Sequence, residues 1–517
     1  ASCFTGQATA IITQTPGGEI KSISRQELWQ QVCRCANGLK ELGIKAGDAV
    51  AIDMPMNATA VQIYLGIIIA GAKVVSIADS FAADEIRVRL DISQAKMIFT
   101  QDVMMRGDKQ VPLYSKVIEA DAPACIVIPA KKELQIELRK SDISWCDFLS
   151  EKEEFDMHIA NPQDCINILF SSGTTGNPKA IPWDHCTPIK SASDAFYHHD
   201  IKAGDVLCWP TNLGWMMGPW LVFAALLNKG TIALYEGMPN GRDFGQFVSE
   251  AKVSMLGIVP SLLSHWKSTG CMEGLDWSAI RCFSSTGECS TPEDMTYLMK
   301  LANGRPIIEY CGGTETGGAY ITGSLVQKSY PASFSTPALG GDFVILDENG
   351  DECEEGEVFL LPPTMGLSTQ LLNADHDKVY YEGSPVYKGQ RCRRHGDRLQ
   401  HLGNGYYRAR GRIDDSMNLG GIKVSSSQIE ELINTLDFVS ESAAIAVPPI
   451  GGGPDRLVVY VVLDTENPQN LLKQLQQVVR TKLNPLFKVE DAVVTDRLPR
   501  TASNKVMRRK LRSQYQN

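Results

Sequence analysis

The sequence predicts an α/β protein: a large multi-layered N-terminal domain of β-sheets with flanking helices, residues 1–412, and a small mobile α+β C-terminal domain, residues 413–517. Three observations predict it. Short β-rich runs alternate with helical patterns along the first part of the chain, which argues layered sheets that are largely parallel. The stretch "RARGRIDDSMNLGG", residues 408–421, then breaks into charge and glycine, as expected of a hinge between compact units. Beyond it, about a hundred residues suffice for a separate small domain.

Taken in chain order, the first informative segment is "AVQIYLGIIIAGAKVVSIA", residues 60–78. Gln62 and Lys73 interrupt it, and its glycines stand where a buried helix hands over to a strand, so it reads as core and not as a membrane span. Strands are expected over 96–99, 124–128, 166–170, 231–235, 255–259 and 306–310. After the break, Ser427 with Glu430 three residues on forms a capping-box pattern opening the helix "QIEELINTL", and "AAIAV" and "LVVYVVL" read as strands. No internal repeat or low-complexity tract is visible.

Composition excludes several functions. At 517 residues, 43% hydrophobic and 21% charged, the chain is a folded globular one. A net charge of -10 leaves no global attraction for nucleic acid or anionic lipid. Fourteen scattered cysteines without a Cys-x-x-Cys pair point to a reducing compartment. The opening residues show no basic region leading into an apolar block, and "QYQN" is not a Ser-Lys-Leu type of address. The cytoplasm is therefore the expected compartment, with the peroxisome open if a signal is missing from the N-terminus.

The chemistry concentrates in "FSSGTTGNPK". Amides freed by Gly173 and Gly176, hydroxyls of Ser171, Ser172, Thr174 and Thr175, and the ammonium of Lys179 offer a dense set of donors after a strand. Such donors suit a polyanion, most simply a phosphate chain. The loop is not a Walker loop, because Pro178 and Ala180 stand where that motif needs glycine and a hydroxyl. A solvated Gly/Ser/Thr turn is the plain alternative for this motif taken alone.

Four further motifs follow in order. "FSSGTTGNPK" resembles the phosphate loop of the adenylate-forming superfamily, which includes acyl-CoA synthetases, peptide-synthetase adenylation domains and luciferases. "STGECS", residues 285–290, resembles its adenine loop, and "EYCGGTETGG", residues 309–318, the segment with a magnesium-contacting glutamate. "RRHGDRLQHLGNGYYRARGRIDD" is similar to the ribose-binding aspartate and hinge, and "LPRTASNKVMRRKLR" to the C-terminal lysine loop. The match spans nearly the whole chain. "WPTNLGWMMGPW", "YCGGTE", "MNLGGIKVSS" and "NPLFKV" are more narrowly similar to plant acyl-activating enzymes related to acetyl-CoA synthetase. Members of that subgroup carry a long N-terminal extension, so a fragment or shortened form is expected here.

The resemblance implies ATP, Mg2+ and CoA as cofactor and co-substrates, and a small carboxylic acid as partner. It implies no nucleic acid, no membrane span, and a monomer or homodimer. Ser171, Ser172, Gly173, Thr174, Thr175, Gly176 and Lys179 would hold phosphates, with Thr174 also catalytic. Glu315, after Thr314, would be both catalytic and the metal contact. Gly287, Glu288 and Cys289 would belong to the adenine loop, Glu309, Tyr310 and Thr314 would also bind the cofactor, Asp397 the ribose, and Arg412 the ribose or phosphate. Asp414 would be the hinge, while Gly420, Gly421 and Lys423 would approach CoA.

Lys505 would bridge carboxylate and α-phosphate, although Arg508, Arg509, Lys510 and Arg512 make its surroundings look like a solvated basic tail. Trp215, Met216, Met217, Thr286 and Gly312 would line the acyl and pantetheine walls. Gly312 stands where acetate-specific relatives carry a tryptophan, which implies a longer cavity for a medium-chain or arylalkyl acid. Adjacent His198 and His199 lack further ligands and read as surface or cap residues.

The implied reaction is carboxylate attack on the α-phosphate of ATP, followed by thiol displacement of AMP. The alternatives are an adenylation enzyme loading a different acceptor, for which no carrier domain follows Asn517, and an inactive nucleotide-binding relative.

Overall fold

The computed structural model describes the chain apart from residues 1–5, 108, 172–177, 288, 413–415, 420–421, 448–455, 465–467, 484–486, 502–503 and 517, and gives the backbone alone for 411–412, 416–419 and 422–425. Two compact units divide it. Residues 1–343, 360–384 and 390–393 form the first, and 344–359, 385–389 and 394–517 the second. The charged break at 412/413 thus falls inside the second unit. Segments from 344 onward pair with one another in a sheet, a non-local arrangement that sequence composition does not reveal.

The first unit holds two large sheets. The nine-stranded sheet runs Thr336–Pro337, Gly318–Thr322, Ile307–Gly313, Cys282–Ser285, Met255–Ile258, Val206–Cys208, Thr231–Tyr235, Thr9–Gln14, Lys21–Ser24. Its interior pairings are parallel, and its margins are antiparallel. The seven-stranded sheet runs Lys179–Trp183, Asn167–Ser171, Lys73–Ile77, Ala49–Asp53, Met97–Gln101, Ala124–Ile128, Ile143–Ser144, with one antiparallel pairing at the Lys179–Trp183 edge. Every run read as a strand in this part of the sequence is one, with bounds shifted by a residue or a few.

Residues 60–78 give the buried helix Ala58–Ile69 and the strand Lys73–Ile77. Leu65, Ile63 and Tyr64 lie in the core. No helix among the described residues is long and apolar enough to cross a membrane. The described cysteines are all free.

In the second unit, the strands Val439–Val447, Arg456–Leu463 and Val489–Val494 form a sheet, accompanied by the helices Ser426–Ile433, Leu471–Lys482 and Arg508–Gln516. The expected cap at Ser427 is displaced. The helix begins a residue earlier, Ser427 Oγ donates to the Arg410 carbonyl at 3.3 Å, and the Glu430 carboxylate accepts from Ala444 N at 2.8 Å and from Arg508 Nη2 at 2.8 and 2.9 Å. A tertiary ion pair has claimed the glutamate that the local pattern assigns to a cap. The same pair, with Arg512 Nε donating to the Ala446 carbonyl at 3.1 Å, anchors a helix that reads in sequence as a solvated basic tail.

Below the site region lies a buried polar stripe on the helix Cys186–His198. Thr187, Lys190, Ser191, Asp194 and His198 recur at helical spacing and are all buried. Lys190 Nζ meets Asp194 Oδ1 at 2.7 Å and donates to the Leu339 carbonyl at 3.1 Å. Asp194 Oδ2 accepts from Tyr310 OH at 2.6 Å and Ala319 N at 3.0 Å, and Ser191 Oγ donates to the Gly317 carbonyl at 2.8 Å.

His198 and His199, expected as surface or cap residues, end the helix Cys186–His198 with His199 as its C-cap, and both are buried. His198 Nε2 accepts from Leu339 N at 3.1 Å, and His199 Nε2 lies 2.8 Å from Ser284 Oγ. Burial drives the His199 pKa down to about 3, so the ring is neutral at ordinary pH.

Removing one member of a buried pair strands the other charge. Asp194→Ala should therefore lower stability by about 3–5 kcal/mol, because Lys190 and Asp194 have side-chain exposures of 0% and 1%. Urea unfolding followed by tryptophan emission measures this, and an unchanged midpoint would refute it.

Candidate active site

The glycine loop is closed by a strand pair. Ser171 ends Asn167–Ser171 and Lys179 begins Lys179–Trp183, and the two are direct cross-strand partners. Antiparallel pairing thus brings the first hydroxyl and the only ammonium of the motif to one place. Asn373 fastens the far end, its Oδ1 accepting from Ala180 N at 3.0 Å and its Nδ2 donating to the Pro178 carbonyl at 2.8 Å.

Glu315 arrives from the other sheet, on the turn between Ile307–Gly313 and Gly318–Thr322. Its Oε1 accepts from Ser171 Oγ at 3.2 Å, Lys179 Nζ at 3.2 Å and Tyr380 OH at 3.1 Å. Both members of the Lys179–Glu315 pair are largely withdrawn from solvent, at 24% and 15% side-chain exposure. The turn itself is tightly fixed. Trp183 Nε1 donates to the Thr314 carbonyl at 2.8 Å, and Thr316 Oγ1 donates to the Gly313 carbonyl at 3.0 Å and the Gly318 carbonyl at 2.6 Å. Gly317 takes φ +58°, and a Cβ there would lie 1.9 Å from Thr187 Cγ2, so only glycine closes the turn.

The residues expected to bind nucleotide differ in their surroundings. Gly287 is exposed at φ +92° and Cys289 is half-buried, both following the strand Cys282–Ser285. Thr286 Oγ1 donates to the Tyr310 carbonyl. Glu309 is buried, with Oε2 accepting from Ser290 Oγ at 2.8 Å, and burial pushes its pKa up to about 7. Tyr310 departs from expectation: its ring is 1% exposed and its hydroxyl is committed to Asp194 and, at 2.9 Å, Trp220 Nε1. The side chain expected to meet nucleotide is part of the scaffold.

On the expected acyl wall, Trp215 is half-buried and meets Phe81 edge-on at 5.3 Å, Met216 is half-buried, and Met217 opens the helix Met217–Leu227. Gly312 sits at an irregularity in the pairing of Ile307–Gly313 with Gly318–Thr322. A Cβ there would lie 1.9 Å from the Gly318 carbonyl oxygen and 2.7 Å from Ala319 Cα. Exchanging Gly312 for tryptophan therefore moves the neighbouring strand, so that exchange does not report cavity length alone.

In the second unit, Asp397 stands on Arg393–Gly403, where its Oδ2 lies 3.1 Å from His395 Nε2. Its cross-strand partner is Arg412, described by backbone alone, so two residues assigned to the nucleotide by sequence share one ladder position. Lys505 is exposed; its N donates to Thr501 Oγ1 at 3.1 Å, and its carbonyl accepts from Thr501 N at 2.8 Å. Ser172, Gly173, Thr174, Thr175, Gly176, Glu288, Asp414, Gly420 and Gly421 lie outside the described residues, and Lys423 is described by backbone alone.

Sequence reading missed Tyr380, Asn373, Arg393 and Asp194. Arg393 opens the motif that carries Asp397 and the other three lie in no motif, and their roles come from chain crossings that no local pattern announces.

Among the described residues no group of three or more His, Cys, Asp or Glu could hold a metal ion. One carboxylate beside a lysine suits Mg2+ that arrives with phosphate and water supplying most of its ligands, and Glu315 fits that donor set.

Comparison with known proteins identifies the family. The profile of AMP-binding enzymes matches residues 4–365, and that of the AMP-binding enzyme C-terminal domain matches 428–505. The chain is 50% identical to the probable acyl-activating enzyme 17, peroxisomal, of Arabidopsis thaliana, over 96% of this chain and 71% of that protein. It is also 50% identical to the hexanoyl-CoA synthase of Cannabis sativa, over 98% of this chain and 73% of that protein. The structure of acetoacetyl-CoA synthetase from Streptomyces lividans shares the fold, with a TM-score of 0.88 at 24% identity, covering 98% of this chain and 80% of that one.

Two outcomes follow from the site geometry. Gly312→Ala should cost about 1–3 kcal/mol in thermal or urea unfolding, and a stability equal to the native chain would show that the strand yields freely. Glu309 keeps its proton to a higher pH folded than unfolded, so the native chain loses stability as pH rises from the model-peptide range near 4.5 toward 7. Glu309→Gln should flatten that slope, by on the order of 3 kcal/mol in total. Parallel stability profiles over pH 4 to 8 (roughly the window of this titration) would contradict the assignment.

Proposed function

The chain belongs to the AMP-binding enzyme family, and from that premise we propose that it joins a medium-chain carboxylic acid to CoA through an acyl-adenylate. It is an AMP-forming acyl-CoA ligase, a class its relatives' names share. The observation that carries the reading is the meeting of Ser171 and Lys179, from the two ends of the glycine loop, with Glu315 of the other sheet. The hexanoyl-CoA synthase relative favours an acid longer than acetate, as does Gly312 in place of an indole.

In the first half-reaction a carboxylate oxygen attacks the α-phosphorus of ATP, a P–O bond forms, and the α–β bridging bond breaks to release pyrophosphate. Lys179 neutralises charge on the phosphates, exchanging its Glu315 partner for them. Bound with the nucleotide, Mg2+ would supply Lewis-acid charge neutralisation. Lys505 places an ammonium against the carboxylate and α-phosphate as charge builds in the transition state. In the second half-reaction the CoA thiolate attacks the acyl carbon and AMP leaves with the electron pair of the broken C–O bond. Rotation of residues 413–517 about Asp414 would withdraw Lys505 and bring Gly420, Gly421 and Lys423 to CoA. We place the protein in the cytoplasm or the peroxisome, the latter supported by a relative's name.

Hexanoate should support pyrophosphate exchange without CoA and AMP release with it. Exchange with no CoA thioester, across acids from acetate to phenylpropanoids, would instead favour a different acceptor. Lys505→Ala should reduce exchange by at least about 100-fold yet spare thioester formation from supplied hexanoyl-AMP. Equal loss in both half-reactions would defeat this division of labour.

A further inference from the structure

Glu315 is held at more points than its motif accounts for. Its carbonyl accepts from Ser368 N at 2.7 Å. Ser368 Oγ in turn accepts from Arg393 Nη2 at 2.9 Å, and the Arg393 guanidinium lies over the Tyr380 ring at 4.0 Å. The Tyr380 hydroxyl donates to Glu315 Oε1 at 3.1 Å, which returns the circuit to the residue where it started. All four residues belong to the first unit.

These partners are not surface decoration. Arg393 is 1% exposed, Tyr380 6% and Ser368 8%. The Arg393 Nε has no acceptor among the described residues, so the buried cation is committed to the aromatic face and to Ser368. A guanidinium stacked on a ring face is favoured where water is excluded, and a nearby cation polarises the phenol toward stronger donation. His376 Nε2, 3.0 Å from the Ser368 carbonyl, and its ring contact with Tyr380 at 5.1 Å steady the same segment.

We propose that Tyr380 and Arg393 are positioning residues for Glu315: the circuit Glu315–Ser368–Arg393–Tyr380 fixes the main chain and the carboxylate together, so the carboxylate keeps its aim when Lys179 turns to the phosphates of Mg·ATP. This rests on the ligase reading given above. Lys179 is the partner that a polyanion removes from Glu315; Tyr380 carries no charge and has no reason to leave. What remains after nucleotide entry is a carboxylate steered by hydroxyls, among them the Tyr380 phenol, whose ring is itself clamped by a buried arginine.

Tyr380→Phe tests this with a single atom, because it keeps the ring and its stacking on Arg393. Calorimetric titration of α,β-methylene-ATP over a series of Mg2+ concentrations, with no acid present, reads the metal dependence of nucleotide binding directly. The Mg2+ concentration for half-maximal binding should rise about 3- to 10-fold, while the KM for hexanoate in pyrophosphate exchange stays unchanged. Ser368→Ala, which releases Arg393 but retains the phenol, should shift the metal dependence in the same direction by less, and it decides the matter alone if Tyr380→Phe does not fold. Unshifted Mg2+ dependence in the folded variants overturns the proposal, as does a lowered kcat with Mg2+ dependence like that of the native enzyme. Absence of hexanoate-dependent exchange in the native protein would count against the ligase reading instead.

Discussion

The arrangement depends on a carboxylate and an ammonium that hold one another until something better charged arrives. Lys179 and Glu315 come from hairpins of two different sheets and meet at 3.2 Å in a setting largely withdrawn from water. Such a pair is costly to break by subtraction, because the remaining charge is left poorly solvated. It is cheap to break by exchange. A triphosphate carrying a divalent cation would offer the lysine an anion and the glutamate a cation at once, which is the exchange that the proposed function requires of the pair.

Holding two hairpins in register to a fraction of an ångström takes more than the pair itself. The Thr314–Gly318 turn is tied by Trp183, by Thr316 to its own backbone, and by Ser191 and Asp194 of the helix Cys186–His198. Asp194 is the centre of that support, with Lys190, Tyr310 and Ala319 all directed to one carboxylate. Buried polar networks stabilise only when every member is satisfied, and they specify geometry more sharply than apolar contacts do. Placing this network directly beneath a turn that carries chemistry couples fold specificity to the site.

The second unit follows the same logic with different residues. The Glu430–Arg508 pair joins its first and last helices, and Arg512 reaches the Ala446 carbonyl. Consequently the segment after Lys505 is anchored, and the lysine's own backbone is bonded to Thr501. The ladder places Asp397 opposite Arg412, which makes the two residues neighbours although they are far apart along the chain. Tyr310 shows the reverse case: a residue inside a recognisable motif whose side chain faces a structural partner.

The sequence by itself determined the layered α/β class, the order of the motifs and the identities of Ser171, Lys179 and Glu315, because glycine, hydroxyl and charge content at close spacing is a local property. The buried helix and strand at 60–78 were equally legible, since hydropathy with a glycine handover needs no partner to be recognised. Tertiary structure alone decided that Tyr380 and Arg393 surround Glu315, that His198 and His199 are buried, that Glu430 pairs with Arg508 and that Gly312 admits no side chain. Each of these depends on which segments, distant in the chain, come to lie within a few ångströms of one another. Residue type states what a side chain is able to bond; only the path of the backbone states which partner it finds.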